Sequence, residues 1–507
     1  MKTLLGIDIG TSGTKTVLFD IHGVPLASKT IEYPMAQPQN GWAEQDPAHW
    51  WNATVEGIRA VLSAAGIPAA DVAGVGLSGQ MHGLVMLDKQ GQVLRPSIIW
   101  CDQRTAAECE DMDRILGRQR IIEITGNPPM TGFTASKILW VKKNEPQVYE
   151  RCAHILLPKD YIRYMLTGEY ATEVSDASGM QLMNISKRQW SSRVLDELGI
   201  DRALLPTMHE SPDITGRVHT TAAAATGLLA ETIVVGGAGD NPAAAIGTGV
   251  VREGTAFTTI GTSAVVYAVS NKPHIDPLGR VHTLCASVPG KWTVMSCTQG
   301  AGLSLKWLRD TCCTPEVAEA VQGGVDPYVI MDKLAKNVCI GADKLIFLPY
   351  LMGERSPHPN PDCRGVFFGL SAIHGRQHLI RAVLEGVAYS QAECVDVFKE
   401  MGVPVQDMTV CGGGGRSPLW RQMLADLYGC PVNTLKADEG GALGVALLAG
   451  VGAGIFASVE EAADAIVQKG NVQVPIAKNT EEYKPYYQLY KKLYWDLKTR
   501  FEDLANT

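Results

Sequence analysis

Two stretches about 250 residues apart carry one pattern. LLGIDIGTSGTKTVLFD near the N-terminus and AFTTIGTSAVVYAV in the middle both read as apolar strand, Gly-Thr-Ser turn, apolar strand. A hairpin used twice at that separation implies two domains of similar topology, with a boundary near residues 245–255. A chain of 507 residues also exceeds what one hydrophobic core usually supports. The first copy runs on into a third strand, PLASKTIEY, so the chain opens as an antiparallel meander. It is not the strand–loop–helix of a P-loop, and neither GxxxxGKS nor GxxxxGKT occurs.

Between and after the hairpins, strands and helices alternate. Asp46-Pro47 predicts a helix running to about Gly66, with aspartate at the N-cap and proline at the first helical position. VAGVGLSGQ returns as a strand and ends in a Met-His-Gly loop before another strand, LVMLD. ETIVVGGAGDNPAAAIGTG reads as strand, glycine loop and a helix starting near Asp240 or Asn241, with Pro242 in its first turn. A long amphipathic pattern follows from about Gly375 to Met401, then the strand DMTVC, a run of glycines and a helix from Ser417-Pro418. EGGALGVALLAG is a helix of small residues, a kind that packs closely on a neighbour. From about Lys469 to Thr507 the sequence predicts a charged, tyrosine-rich helical tail. No Pro/Ser-rich linker parts the halves, so domains 1–250 and 251–507 are expected to meet broadly, with a cleft.

Composition excludes several kinds of partner. Lys+Arg total 45 against 53 Asp+Glu, a net charge of −8 without basic blocks, so neither nucleic acid nor an anionic membrane is expected. The 12 cysteines are scattered, with no CxxC pair and with Cys312 and Cys313 adjacent. They read as reduced core residues of a cytoplasmic protein. The N-terminus lacks a signal-peptide pattern, and no uncharged apolar run reaches the ~18 residues of a membrane span. Small-molecule ligands fit this chain best.

Three glycine-rich turns stand at strand ends: Gly10–Gly13, Gly261–Ser263 and Gly412–Gly415. Successive backbone N–H groups in such turns form a concavity suited to phosphate oxygens, and Thr11, Ser12 and Thr262 add hydroxyls. One turn of this kind is often only a hairpin. Three in one chain, two of the same sequence, argue for phosphate. Asp8 interrupts an apolar run between Ile7 and Ile9, just before such a turn. A carboxylate there would hold Mg²⁺, directly or through water, against a transferring phosphate. Asp240 admits two compatible readings: N-cap of the following helix, or a general base at a strand end that takes a proton from an attacking alcohol. His82, in a polar loop between apolar strands, and WCDQR, with Trp100, Asp102 and Arg104, offer groups that hydrogen-bond to and stack on a sugar.

Taken together, IDIGTSGTK, SGQMHG, WCDQR, GFTASKILWVKKNEP, LLPKDYIRYMLTGEY, GGAGDN, IGTS, PYLMGERSPH, RGVFFGL and GGGGRSPLWRQMLAD resemble the FGGY family of carbohydrate kinases nearly end to end. GQMHG is similar to the branch of that family acting on D-xylulose. The resemblance implies an α/β fold of two actin-like (ribonuclease H-like) ATPase domains with a cleft between them. It implies ATP and Mg²⁺ as cofactors and phosphorylation of D-xylulose to D-xylulose 5-phosphate. It places the catalytic base at Asp240, the metal at Asp8, and sugar contacts at Met81, His82, Trp100, Asp102 and Asp240. Nucleotide contacts fall at Thr11, Ser12, Lys15, Gly261, Thr262, Gly412, Gly413 and Gly414. Two positions depart from the family pattern: Cys101 stands where asparagine is usual, and Pro242 where a small residue is common. The alternatives are a kinase for another ketose or polyol (ribulose, L-xylulose, a tetritol) and a non-catalytic actin-like ATP-binding protein. Keeping both Asp8 and Asp240 speaks against the last. A homodimer is compatible with the sequence.

Overall fold

In the computed structural model the repeated hairpin is built twice. It describes residues 2–437 and 439–507. The chain divides into two compact units, each assembled from separate segments. Unit 1 comprises Met1–Arg252, Val269–Thr293 and Ala437–Val467; unit 2 comprises Glu253–Ala268, Val294–Lys436 and Gln468–Thr507.

The sheet of unit 1 contains β1 (Thr3–Ile9), β2 (Gly13–Asp20), β3 (Pro25–Glu32), β4 (Val72–Gly79), β5 (Ile214–Arg217), β6 (Ile233–Val235) and β7 (Ala238–Gly239). Its order is β5-β6-β4-β1-β2-β3, with β7 also pairing with β4. β1 is antiparallel to β2, as the opening meander predicts, and parallel to β4. Side chains alternate across a strand. Leu5, Ile7 and Ile9 therefore point to one face, where they pack with Trp50, Ile58 and Val61 of the helix Pro47–Ala65. Asp46 caps that helix through the N–H of Ala48 and Gly66 ends it in the left-handed region, as read from the sequence.

Leu4, Gly6 and Asp8 point to the opposite face. That face is covered by the small-residue helix Gly440–Gly452, whose Val445 and Leu448 join Leu4, Val17 and Phe19 in a second core. Glycines let the helix lie against the strands. A Cβ on Gly6 would come within 2.0 Å of the Ala442 carbonyl oxygen, and one on Gly76 within 1.9 Å of that of Val445. The same helix meets the helix Asp240–Gly247, where a Cβ on Gly444 would lie 1.9 Å from the Ala243 oxygen.

Unit 2 repeats the arrangement with β8 (Gly254–Ile260), β9 (Ala264–Ser270), β10 (Trp292–Thr298), β11 (Val405–Cys411), β12 (Val432–Leu435) and β13 (Lys469–Gln473). They run in the order β10-β9-β8-β11-β12-β13. β8 is antiparallel to β9 and parallel to β11, as β1 is to β2 and β4. A backbone hydrogen bond closes each turn, Gly10 N–H to Gly13 O in the first and Gly261 N–H to Ser263 O in the second, each 3.0 Å. The helix Arg376–Glu400 is buried over most of its length. The tail forms the helix Ala477–Ala505, which buries Tyr483, Tyr487, Tyr490 and Tyr494. The cysteines divide: Cys152, Cys285, Cys313, Cys363, Cys394 and Cys430 are buried, whereas Cys312 and Cys339 are exposed, and none is in a disulfide. No described helix is long and apolar enough to cross a membrane.

Candidate active site

Asp8 and Asp240 are brought together by the sheet. Asp8 lies opposite Ser78 on β4, and on the other side of β4 Ala238 and Gly239 pair with Ser78 and Gly79. Asp240 follows directly, so both carboxylates stand at the carboxyl ends of strands flanking β4, the usual position of ligands in such sheets. Because Asp8 shares a face with Gly6, it points to the start of the helix Gly440–Gly452. A Cβ on Gly441 would lie 3.2 Å from Ser78 Oγ and 3.6 Å from Asp8 Oδ2. Asp8 Oδ1 is buried with no hydrogen-bond partner among the described residues. Burial raises the Asp8 carboxyl above its ordinary range, and the Ser78 hydroxyl and Lys15 ammonium oppose that rise.

Asp240 is not the helix N-cap. Gly239 occupies that position and Asp240 is the first helical residue. Its Oδ1 accepts from the backbone and side-chain N–H of Asn241, at 2.6 and 2.8 Å. Burial first, and the negative charge of Asp8 second, push Asp240 up to about 7, against those two hydrogen bonds. A carboxyl poised there suits a general base at neutral pH. A buried charge cluster behind it fixes the strand end. Arg163 Nη1 donates to Gly236 O at 2.7 Å, and Lys159 lies 2.7 Å from Asp160 and 3.3 Å from both Glu173 and Asp176. Ser175 Oγ, bonded to Glu173, accepts from Gly239 N–H at 3.3 Å. Burial holds Asp176 well above the usual carboxylate range, against the pull of the Lys159 ammonium.

The Met-His-Gly loop meets this strand end. A Cβ on Gly239 would lie 2.8 Å from Met81 Cγ and Sδ, so Met81 lies close against the residue before Asp240. His82 is buried with φ at 70°, in the left-handed region. Its ring is held by Gly179 O, 3.1 Å from Nδ1, and by Phe133, whose centroid is 4.4 Å away. Its carbonyl accepts from Lys137 Nζ at 2.9 Å and from Thr134 Oγ1 at 3.1 Å. Lys137 also donates to Gly132 O at 2.7 Å, and complete burial lowers its ammonium to about 7. The sequence reading missed Lys137. In GFTASKILW a lysine beside apolar residues resembles any solvated helix position, and the available signal is that it is the sole charge in that motif.

Trp100 and Asp102 take different parts. Trp100 is 42% exposed, and its Nε1–H donates to Thr11 Oγ1 at 2.9 Å, linking WCDQR to the first Gly-Thr-Ser turn. That turn is also held by Gln45, whose Nε2 donates to Thr11 O, and by Tyr33, whose hydroxyl donates to Gly10 O. Asp102 is fully buried. Its oxygens accept from the N–H of Ala43 at 2.5 Å and from the backbone N, Nε and Nη2 of Arg104. Four donors fill a carboxylate's acceptor sites, and through three of them Asp102 holds Arg104. Arg104 in turn packs over Trp42, 3.6 Å from its centroid, and pairs with Glu44 at 2.8 Å. Lys15, opposite Asp8 on β2, pairs with Glu439 at 2.7 Å.

Unit 2 brings its two glycine turns to one cavity of about 840 Å³, lined by Gly261, Thr262, Lys306, Tyr328, Gly413 and Arg416 among others. That volume is in the range of a cofactor pocket. Gly412 and Gly414 seat the turn on the end of β8, since a Cβ there would lie 2.8 Å from Ile260 O and 2.4 Å from Ile260 Cγ2. A Cβ on Gly413 would meet nothing within 4 Å.

Models of the FGGY carbohydrate kinases match both halves of the chain, the N-terminal domain over residues 3–247 and the C-terminal domain over residues 256–453. The chain belongs to the FGGY family of carbohydrate kinases. Among FGGY relatives, a xylulose kinase of Bacillus subtilis (strain 168) is 38% identical, with 97% of each chain covered. One from Escherichia coli (strain K12) is also 38% identical, over 97% of this chain and 99% of that one. The crystal structure of xylulose kinase from Rhodospirillum rubrum is similar at a TM-score of 0.92, with 30% identity, covering 99% of this chain and 100% of that one. The two-domain actin-like fold expected from the sequence is thereby shown, and the protein is a phosphotransferase of the FGGY type.

Proposed function

We propose that this kinase transfers the γ-phosphoryl group of ATP to a primary hydroxyl of D-xylulose, giving D-xylulose 5-phosphate and ADP. The observation that carries the chemistry is Asp240, a carboxyl raised to about 7 at a strand end, with Met81 against the preceding glycine. The relatives named xylulose kinases support the choice of sugar.

In this reading Met81 and His82 hold the sugar, with the His82 backbone fixed by Lys137. Asp240 accepts the proton of the attacking hydroxyl as the oxygen bonds to the γ-phosphorus and the bond to the β-phosphate oxygen breaks. Gly261, Thr262 and Gly412–Gly414 hold the nucleotide. Thr11 and Ser12 offer hydroxyls to phosphate. Lys15, paired with Glu439, presents its charge beside Asp8.

Asp8 fits the Mg²⁺ that such a reaction uses. Its Oδ1 is a buried oxygen without a partner, and no group of three or more potential metal-ligating side chains occurs among the described residues. One carboxylate with nucleotide phosphates and water is a common donor set for this ion. When bound, Mg²⁺ supplies neutralisation of charge on the transferring phosphoryl group.

Coupled ADP release over a panel of D-xylulose, D-ribulose, L-xylulose, erythritol and glycerol tests the sugar. The kcat/KM for D-xylulose should exceed the others by tenfold or more. A higher value for any of them would replace xylulose as the substrate.

A further inference from the structure

PYLMGERSPH lies in unit 2 and has no part in the site described so far. Within it Glu354 is buried, and its Oε1 accepts the backbone N–H of both Gln299 and Arg355, each at 2.8 Å. Its backbone pairs with Asn360 in both directions, at 2.9 and 3.0 Å, and Ser356 N–H donates to Cys297 O at 3.1 Å. The loop is thereby fastened to the chain leaving β10.

From Gln299 that chain runs directly into the helix Gly302–Cys312. The start of this helix is clamped to the second Gly-Thr-Ser turn. Gly302 N–H donates to Gly261 O at 2.7 Å, while Ala301 N–H and Leu303 N–H donate to Thr262 O at 3.2 and 3.1 Å. Both glycines of this short strap are needed. A Cβ on Gly300 would lie 1.7 Å from Pro349 O, and one on Gly302 would lie 2.3 Å from Gly261 O. The strap is therefore pressed between the residues just before the PYLMGERSPH loop's Glu354 and the turn that lines the cavity. Pinning two carbonyls of the turn fixes the orientation of its peptide planes.

We propose that Glu354 is a positioning residue for nucleotide binding, setting the Gly261–Ser263 turn through the Gln299–Gly302 strap. The inference rests on the reading that this turn receives the nucleotide. Burial first, and the nearby Glu393 charge, raise the Glu354 carboxyl to about 8, so it is largely neutral at pH 7. Glutamine is then a close replica that keeps an acceptor oxygen for both N–H groups. Aspartate withdraws that oxygen by one methylene.

The test compares ATP and sugar KM in the full-length enzyme for Glu354→Gln, Glu354→Asp and Thr262→Ala, with binding of a fluorescent ATP analogue measured without sugar. Expected are ATP KM within threefold of wild type for Glu354→Gln, and a rise of fivefold or more for Glu354→Asp. Sugar KM should be unchanged in both, and analogue affinity should fall in step with the ATP KM. A Glu354→Gln enzyme as impaired as Glu354→Asp would overturn the inference, as would equal rises in both KM values. A raised ATP KM in Thr262→Ala beside a normal one in Glu354→Asp would overturn the inference alone. Normal values in both would overturn the assignment of the turn, and the inference with it.

Discussion

Replacing Asp240 with asparagine should make the protein slower and sturdier at once. The carboxyl is raised from 3.8 to about 7 in the fold. A group raised in this way makes the folded protein bind more protons than the unfolded chain. Its ionisation therefore weakens the fold progressively from about pH 4 up to pH 7, and the penalty is constant above that. Three pKa units correspond to a ceiling of about 4 kcal/mol, and contact of the strand end with solvent reduces the expected gain to about 1–3 kcal/mol. Asparagine keeps an oxygen for the two Asn241 N–H groups and cannot ionise. Thermal unfolding of the ligand-free protein should thus show Asp240→Asn more stable than wild type at pH 8 and level with it at pH 4. Turnover should fall about 10²-fold or more, the range of a lost general base. Wild-type kcat/KM should rise with pH through a midpoint near 7. Equal stability of the two proteins at pH 8, or near-normal turnover of the variant, would refute the assignment.

Three further outcomes follow from the geometry. Asp8→Asn should raise the Mg²⁺ concentration for half-maximal activity about tenfold or more and, by removing a charge that raises Asp240, move the acid limb of the pH profile downward; an unchanged Mg²⁺ titration would contradict its place. Lys137→Met keeps apolar volume but takes the ammonium donor from the Gly132 carbonyl and leaves the His82 carbonyl to Thr134 Oγ1, so sugar KM should rise about tenfold with ATP KM unchanged, and steady-state kinetics showing both altered alike would count against it. Gly76→Ala would set a Cβ 1.9 Å from the Val445 backbone oxygen and should destabilise unit 1 by about 3 kcal/mol; a loss under about 1 kcal/mol in denaturant unfolding would dismiss that contact.

Local signals carried much of this far. The two hairpins, the Asp46 cap, the helix at Ser417-Pro418 and the tyrosine-rich tail are each written in neighbouring residues: strand alternation, a capping aspartate or serine, an apolar stripe. Asp8 is legible because a carboxylate in an apolar run has few uses, and Asp240 because it stands where a strand and glycine loop give way to a helix. What stayed hidden depends on partners distant in sequence. The use of Asp102 is decided by Ala43, 59 residues away, and by a guanidinium that folds back on it. Trp100 finds Thr11 across 89 residues. Burial of Lys137 cannot be read from a helix whose other face is unknown. Small residues in EGGALGVALLAG announced a close neighbour without naming it, and that neighbour proved to be β1 and β4 of the opening unit.

That last contact bears on how the protein is made. A ribosome releases β1 first and the helix Gly440–Gly452 more than four hundred residues later. Until then the face bearing Gly6, Gly74 and Gly76 has no lid, and the groove beside Ala243 stays open to water. Domains that are continuous in sequence finish folding in order of synthesis. Here the first unit begun is completed only after most of the second has emerged, and the nascent chain must keep an apolar sheet face unpaired throughout. Sensitivity of the Asp8 half to losses within Gly440–Gly452 is built into the order of the segments.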